Sequence, residues 1–335
     1  MQAAIYGLAG EALTPDERDF FRDSDPMGYC LFWRNCAAPE QLRALTDSLR
    51  TLHGRDDLPI LIDQEGGRVA RMRPPVWPGF PAAGKFGELY KIAPVSAIEA
   101  ARANAQAIAL MLKEAGLNVN CLPVLDVRQE GADAIVADRA FGFEPMQVAA
   151  LGRAVLEGMA AAGVVGVVKH MPGHGRSPVD SHKVRPVVDA SEEELEIDLE
   201  PFATLSDAAM GMICHIVYTA WDAQCPASLS PIVTGDIIRR RIGFDGLLIS
   251  DDLCMHALSG SFAGRASGVL DAGCDVALHC SGDMAEMVDL ASGVRPMTER
   301  AMERLERAMA SVAGAESGAS FEELAAKRDE LIALA

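Results

Sequence analysis

Eight short apolar runs, separated by longer amphipathic stretches, constrain this chain more than any other feature of its sequence. The runs are Ala3–Leu8, Gly28–Trp33, Pro59–Ile62, Val119–Val127, Val164–Val168, Met210–Val217, Gly246–Ile249 and Asp275–His279. They are continuously apolar rather than alternating, which is the habit of strands covered on both faces in a parallel sheet. The stretches between them carry helical signals. Pro39–His53 sets Leu42, Leu45, Leu49 and Leu52 on one face. Ile98–Ala115 and Gln147–Ala162 each stop before a glycine, Gly116 and Gly163, the residue that most readily ends a helix. Ser191–Leu205 opens with a serine followed by three glutamates, an N-cap with acids in the first turn. Eight strand-like runs alternating with helices predict an α/β protein built as a (β/α)8 TIM barrel. An open doubly wound sheet is the alternative. One domain over residues 1–335 is expected, with the helical tail Met297–Ala335 packed outside the barrel.

Composition narrows the partners. Half of the 335 residues are hydrophobic and only 5% are aromatic, a mix suited to helices packed closely on a buried sheet. The formal net charge of −18 repels phosphate backbones and anionic lipid, so neither nucleic acid nor membrane is expected as a partner. No window is long and apolar enough to span a bilayer, and the N-terminus lacks the pattern of a secretory signal. A cytoplasmic monomer is the expectation. The eight cysteines form no C-x-x-C pair and show no zinc spacing; they read as small buried hydrophobes in a reducing compartment. No cofactor and no metal are expected.

In a barrel, chemistry collects where strands run into the loops that follow them. Four of the eight runs end in polar clusters: LIDQEGGRVAR (61–71), VKHMPGHG (168–175), CHIVY (214–218) and ISDDL (249–253). Buried acids and bases are costly unless paired or used, and four such clusters on one rim point to a shared pocket. In ISDDL, adjacent strand side chains face opposite ways, so only one of Asp251 and Asp252 faces the pocket. Asp252 reads as the one that caps the following helix. In DQEGGRVAR, Asp63 and Arg71 suit a sugar, the carboxylate accepting hydroxyls and the guanidinium clamping an oxygen; an ordinary salt bridge at a turn is the competing reading. The spacing around Gly66, Gly67 and Arg68 is not that of a phosphate-binding P-loop.

The stretch VKHMPGHGRSPVDSH, Val168 to His182, holds three histidines in a loop rich in glycine and proline. Pro172 and Gly173 argue against the helical turn that would pair His170 with His174 on a metal. No G-x-S-x-G elbow supports a serine nucleophile. Proton transfer is the best supported use. Asp180 and His182, two apart, share a face in an extended segment, where the carboxylate orients the ring and favours its protonated form.

IDQEGGRVAR, DRAFG (138–142), KHMPGHG with DSH downstream, and LLISDDL together resemble glycoside hydrolase family 3, and within it the bacterial β-N-acetylhexosaminidases of cell-wall recycling. The resemblance implies a (β/α)8 barrel and a retaining, two-step mechanism. It implies Asp251 as nucleophile, and His182 with Asp180 as general acid/base. Asp63, Arg71, Arg139, Lys169 and His170 would hold N-acetylglucosamine, and the substrate would be a muropeptide ending in that sugar. Met171 stands where phenylalanine is usual, and Cys254 follows SDDL where serine is common. A neutral histidine base repels anions less than a carboxylate would, which makes phosphate a conceivable acceptor beside water. A non-catalytic sugar-binding barrel, a glycosidase or phosphorylase of different sugar specificity, and a substrate-assisted hexosaminidase using both Asp251 and Asp252 are the alternatives.

Overall fold

A computed structural model describes residues 1–131 and 136–335. Each apolar run supplies one strand of a closed parallel barrel. The strands are β1 (Gln2–Tyr6), β2 (Pro26–Leu31), β3 (Ile60–Ile62), β4 (Val119–Asn120), β5 (Val165–Met171), β6 (Met210–Ile213), β7 (Leu247–Asp252) and β8 (Val276–His279). The ring closes through β1 and β8, with Ala4, Ile5 and Tyr6 opposite Ala277, Leu278 and His279. That closure removes the open sheet from consideration, because an open sheet leaves two edges unpaired. The strands are buried on both faces, which is why their sequences do not alternate.

Two boundaries differ from the sequence reading. The run Val119–Val127 yields only two strand residues. Pro123 within it has no N–H to give, and the chain beyond Asn120 leaves regular pairing except for a bridge from Val124 to Lys169. Strand β5 runs past Val168 to Met171, so Lys169 and His170 sit on a strand and not in the loop. Its register against β6 shifts between Val168 and Met171. Such an irregularity re-aims neighbouring side chains, and Lys169 and His170 both reach the same cavity.

The helices follow their caps. Pro39–His53 forms as one helix with Leu42, Leu45 and Leu49 buried. Ser191 caps Glu192–Thr204 in a reciprocal capping box with Glu194. Helices Pro94–Glu114 and Pro145–Ala161 end just before Gly116 and Gly163, which take positive φ. The tail forms two helices, Glu299–Ala310 and Phe321–Ile332. The second packs against Pro94–Glu114 on the outside of the ring. The first is fastened beneath the barrel: Arg304 donates to Asp275 at 2.9 Å and to Asp245 at 2.8 Å.

Candidate active site

A cavity of about 230 Å³ opens at the C-terminal ends of the strands, and Asp63, Arg71, Arg139, Lys169, His170, His182 and Asp251 all line it. Asp180 does not line it but lies immediately behind His182. One buried ion-pair network supports the floor. Lys169, 2% exposed, donates to Asp63 Oδ1 at 2.8 Å and pairs with Glu65 Oε1 at 2.7 Å. Arg71 donates to the other oxygen of Asp63 at 2.9 Å, and Arg139 grips Glu65 through two bonds of 2.8 Å. Burial alone would raise both carboxyls. The cations beside them win: Lys169 and Arg71 hold Asp63 far below the usual range, and Arg139 and Lys169 hold Glu65 at about 2. Desolvation is likewise outweighed at Lys169, which Asp63 and Glu65 keep firmly protonated. Unpaired, any one of these charges would be strongly destabilising; paired, they form a rigid set of donors and acceptors facing the cavity.

The Gly66–Gly67 turn sets this floor in place. Gly66 has φ +101°, and a Cβ there would lie 2.3 Å from the Pro81 carbonyl oxygen, so no side chain fits. Arg68 pairs with Asp138 at 2.9 Å, in keeping with the absence of P-loop spacing.

Strand β7 delivers Asp251 to the cavity at 7% exposure, and Asp251 Oδ1 accepts from the Asp252 N–H at 2.8 Å. Burial pushes the Asp251 carboxyl up, but its electrostatic interactions with His170 and His215, that N–H and the interaction with His182 more than offset it, leaving the group below its ordinary value. Asp251 is therefore an ionised carboxylate at neutral pH. Asp252 turns away. Its Oδ1 accepts from the backbone N–H of Cys254 at 2.9 Å and of Cys280 at 3.1 Å, while the helix that follows, Phe262–Asp271, is capped by Ser261. The sequence reading of Asp252 as a helix cap is corrected: it ties a turn to the end of β8, because nine residues intervene before the helix begins.

The loop after β5 carries the imidazole. His182 Nδ1 and its backbone N–H both meet Asp180 Oδ1, at 2.8 and 2.9 Å. The two residues share a face as their spacing predicts. The bond at Nδ1 leaves Nε2 as the proton-exchanging atom. The His182 side chain is 55% exposed. The loop is seated by close backbone contact: a Cβ on Gly175 would stand 1.8 Å from the Val127 carbonyl oxygen. Arg176 also reaches down to Asp198 on helix Glu192–Thr204.

Four groups at the site received no role in the sequence reading. Glu65 is two residues from Asp63, and i, i+2 spacing on an extended segment was the available signal. Asp126 accepts from His170 Nδ1 at 2.7 Å and from the His174 N–H at 2.7 Å; an acid inside an apolar run was its only trace. His174 is packed edge-on to His170 with ring centroids 5.4 Å apart, and burial with the adjacent His170 lowers its pKa to about 4. Neutral His174 is thus wall rather than acid. His215, from the CHIVY cluster, bonds Ser228 Oγ at 2.7 Å behind the site.

Residues 16–314 match the Glycosyl hydrolase family 3 N terminal domain. A protein of Methylococcus capsulatus named Beta-hexosaminidase is 38% identical over 282 residues, covering 83% of this chain and 82% of that protein. A Chromobacterium violaceum protein of the same name is 38% identical over 313 residues, covering 90% and 85%. Among solved structures, NagZ from Neisseria gonorrhoeae in complex with N-trifluoroacetyl-D-glucosamine superposes with a TM-score of 0.87 at 32% identity, covering 99% of this chain and 97% of that one.

Proposed function

The chain belongs to glycoside hydrolase family 3, and from that premise we propose that it is a retaining exo-β-N-acetylglucosaminidase. The observation that carries the reading is a single cavity lined by an ionised, strand-borne Asp251 and by His182, whose Nδ1 is held by Asp180. In the first step protonated His182 gives its Nε2 proton to the departing oxygen while Asp251 attacks the anomeric carbon, forming a glycosyl ester. In the second step the neutral imidazole takes a proton from water, which displaces Asp251 with net retention. Asp251 Oδ1 is engaged by a backbone N–H, so Oδ2 is the attacking oxygen. Asp63, Arg71, Arg139, Lys169 and His170 hold the sugar: Asp63 accepts hydroxyl hydrogens, and the cations keep it ionised to do so.

Several features support the finer reading. The cavity suits one terminal sugar, hence exo action. The relatives' name, Beta-hexosaminidase, and the N-trifluoroacetyl-D-glucosamine held by the Neisseria NagZ support an N-acylated hexosaminide as substrate. Muropeptides from peptidoglycan recycling are the proposed natural substrates, met in the cytoplasm by a monomer working as one catalytic domain. No described helix is long and apolar enough to cross a membrane. A substrate-assisted route through both aspartates is disfavoured, because the Asp252 carboxylate is engaged by two backbone N–H groups.

The test is hydrolysis of an aryl N-acetyl-β-glucosaminide beside the plain aryl β-glucoside, with and without phosphate. Cleavage of the first at least 100-fold faster (about 2.7 kcal/mol), with N-acetylglucosamine released in the β configuration, is expected. Equal rates, or release of the α anomer, would contradict the proposal.

A further inference from the structure

Among the described residues, one group of three ligand-bearing side chains converges outside the cavity: Cys254, His279 and Glu286 present a sulfur, an imidazole nitrogen and a carboxylate oxygen within 4.8 Å of one another. They come from the turn after β7, the last residue of β8 and the first turn of helix Met284–Gly293. None of the three lines the cavity. The barrel supplies the convergence: Leu253 N–H donates to the Leu278 carbonyl at 2.9 Å, and Asp252 bonds both the Cys254 and Cys280 N–H groups.

His279 makes the cluster unusual. It is wholly buried, yet among the described residues neither ring nitrogen has a hydrogen-bond partner. Glu286 Oε2 stands 3.4 Å from Nε2, long and poorly aligned for a hydrogen bond. A buried imidazole with no well-aligned hydrogen bond among the described residues is costly. Phe262 packs edge-on against the ring at 5.1 Å between centroids and holds its orientation.

The geometry points to a structural zinc site at Cys254, His279 and Glu286, with water as fourth ligand. The donor set of one soft sulfur, one imidazole and one carboxylate selects Zn²⁺ over Mg²⁺ or Ca²⁺, which demand oxygen ligands. A divalent ion with one thiolate and one carboxylate is neutral overall, so its burial carries little charging cost. On binding, the Cys254 thiol proton leaves to solvent and the S–Zn bond replaces S–H. Glu286 is partly exposed and gives the ion its way in. The bound ion would pin the turn following Asp251 and Asp252 to β8 and the next helix. Cys254 is the residue that departs from the usual serine, and it supplies the ligand on which the site depends. The inference does not rest on the catalytic reading.

The test uses the full chain, stripped with chelator and titrated with Zn²⁺ and with Co²⁺ as a spectroscopic probe. One equivalent of Co²⁺ should bring thiolate-to-cobalt charge-transfer absorption, which Zn²⁺ removes by displacement. Cys254→Ser should abolish that absorption and weaken Zn²⁺ binding at least tenfold. Glu286→Gln, a change at a partly exposed side chain that leaves the core intact, should weaken Zn²⁺ binding several-fold. His182→Ala, which removes an imidazole from the catalytic cavity, should leave the absorption unchanged. No thiolate absorption at saturating Co²⁺, absorption that survives Cys254→Ser, unaltered Zn²⁺ affinity in Glu286→Gln, or loss of binding in His182→Ala would each overturn the assignment.

Discussion

The two groups assigned to the chemistry live in opposite environments. Asp251 sits on a strand, 7% exposed, its carboxylate held by the next backbone N–H and kept ionised partly by the histidines around it. His182 sits on a loop with its side chain 55% exposed, positioned by a single carboxylate two residues away. The difference suits the proposed reaction. A nucleophile needs a fixed approach to one atom, and the barrel provides that at the end of a strand. A proton donor and acceptor must serve first a leaving group and then a water, and a loop that admits both is the suitable mount. Rigidity and adaptability are divided between strand and loop.

The largest effect is expected at the strand. Asp251→Asn should lower kcat on an aryl N-acetyl-β-glucosaminide on the order of 10⁴-fold while the circular dichroism spectrum and melting curve stay close to those of the unmodified chain. Activity within tenfold of the original would remove Asp251 from the nucleophile's role. At the loop the loss should depend on the substrate. For His182→Ala, kcat/KM should fall by about 10²–10⁴ with poor leaving groups, whose departure needs a proton, and by less than about tenfold with activated phenols. Equal losses on both would count against proton donation.

Gly175→Ala sharpens the contrast without touching either group. The added methyl meets the Val127 carbonyl and displaces the loop, so kcat/KM should drop by about 10–10² through misplacement of His182 alone. An unchanged leaving-group dependence would show that the loop's seat is immaterial. The smallest expected effect is on stability. His174, wall of the site between the two regions, titrates near 4 folded against about 6.5 unfolded. Between those values the unfolded chain binds the extra proton, so stability is fully present above pH 6.5 and is lost as pH falls toward 4. The loss amounts to about 3 kcal/mol from this residue. His215 and His279, whose values are also lowered, act in the same direction. Urea melts at several pH values should show that slope, and His174→Asn should flatten it partly; an unaltered slope would contradict the assignment.

The barrel was legible because each apolar run is long enough to mark a buried strand, and burial on both faces writes itself as continuous apolarity. Strand ends were less so: Lys169 and His170 read as loop residues, because their charges mask a strand that buries them in ion pairs. The Asp180–His182 pair was readable since it is local, two residues on one face. Asp126 was not: its partners His170 and His174 lie 44 and 48 residues further along. Cys254, His279 and Glu286 follow no ligand spacing at all, and only the adjacency of β7 and β8 unites them. Contacts made around the ring leave no pattern along the chain.

The division of labour is tested most directly by trapping. The chain is incubated with a 2-fluoro sugar bearing a good leaving group, digested, and the labelled peptide sequenced by mass spectrometry. The account predicts one added sugar on the peptide from β7, borne by Asp251 and still formed in His182→Ala, because an activated leaving group departs unaided. A label on Asp252 or on any other residue would contradict it.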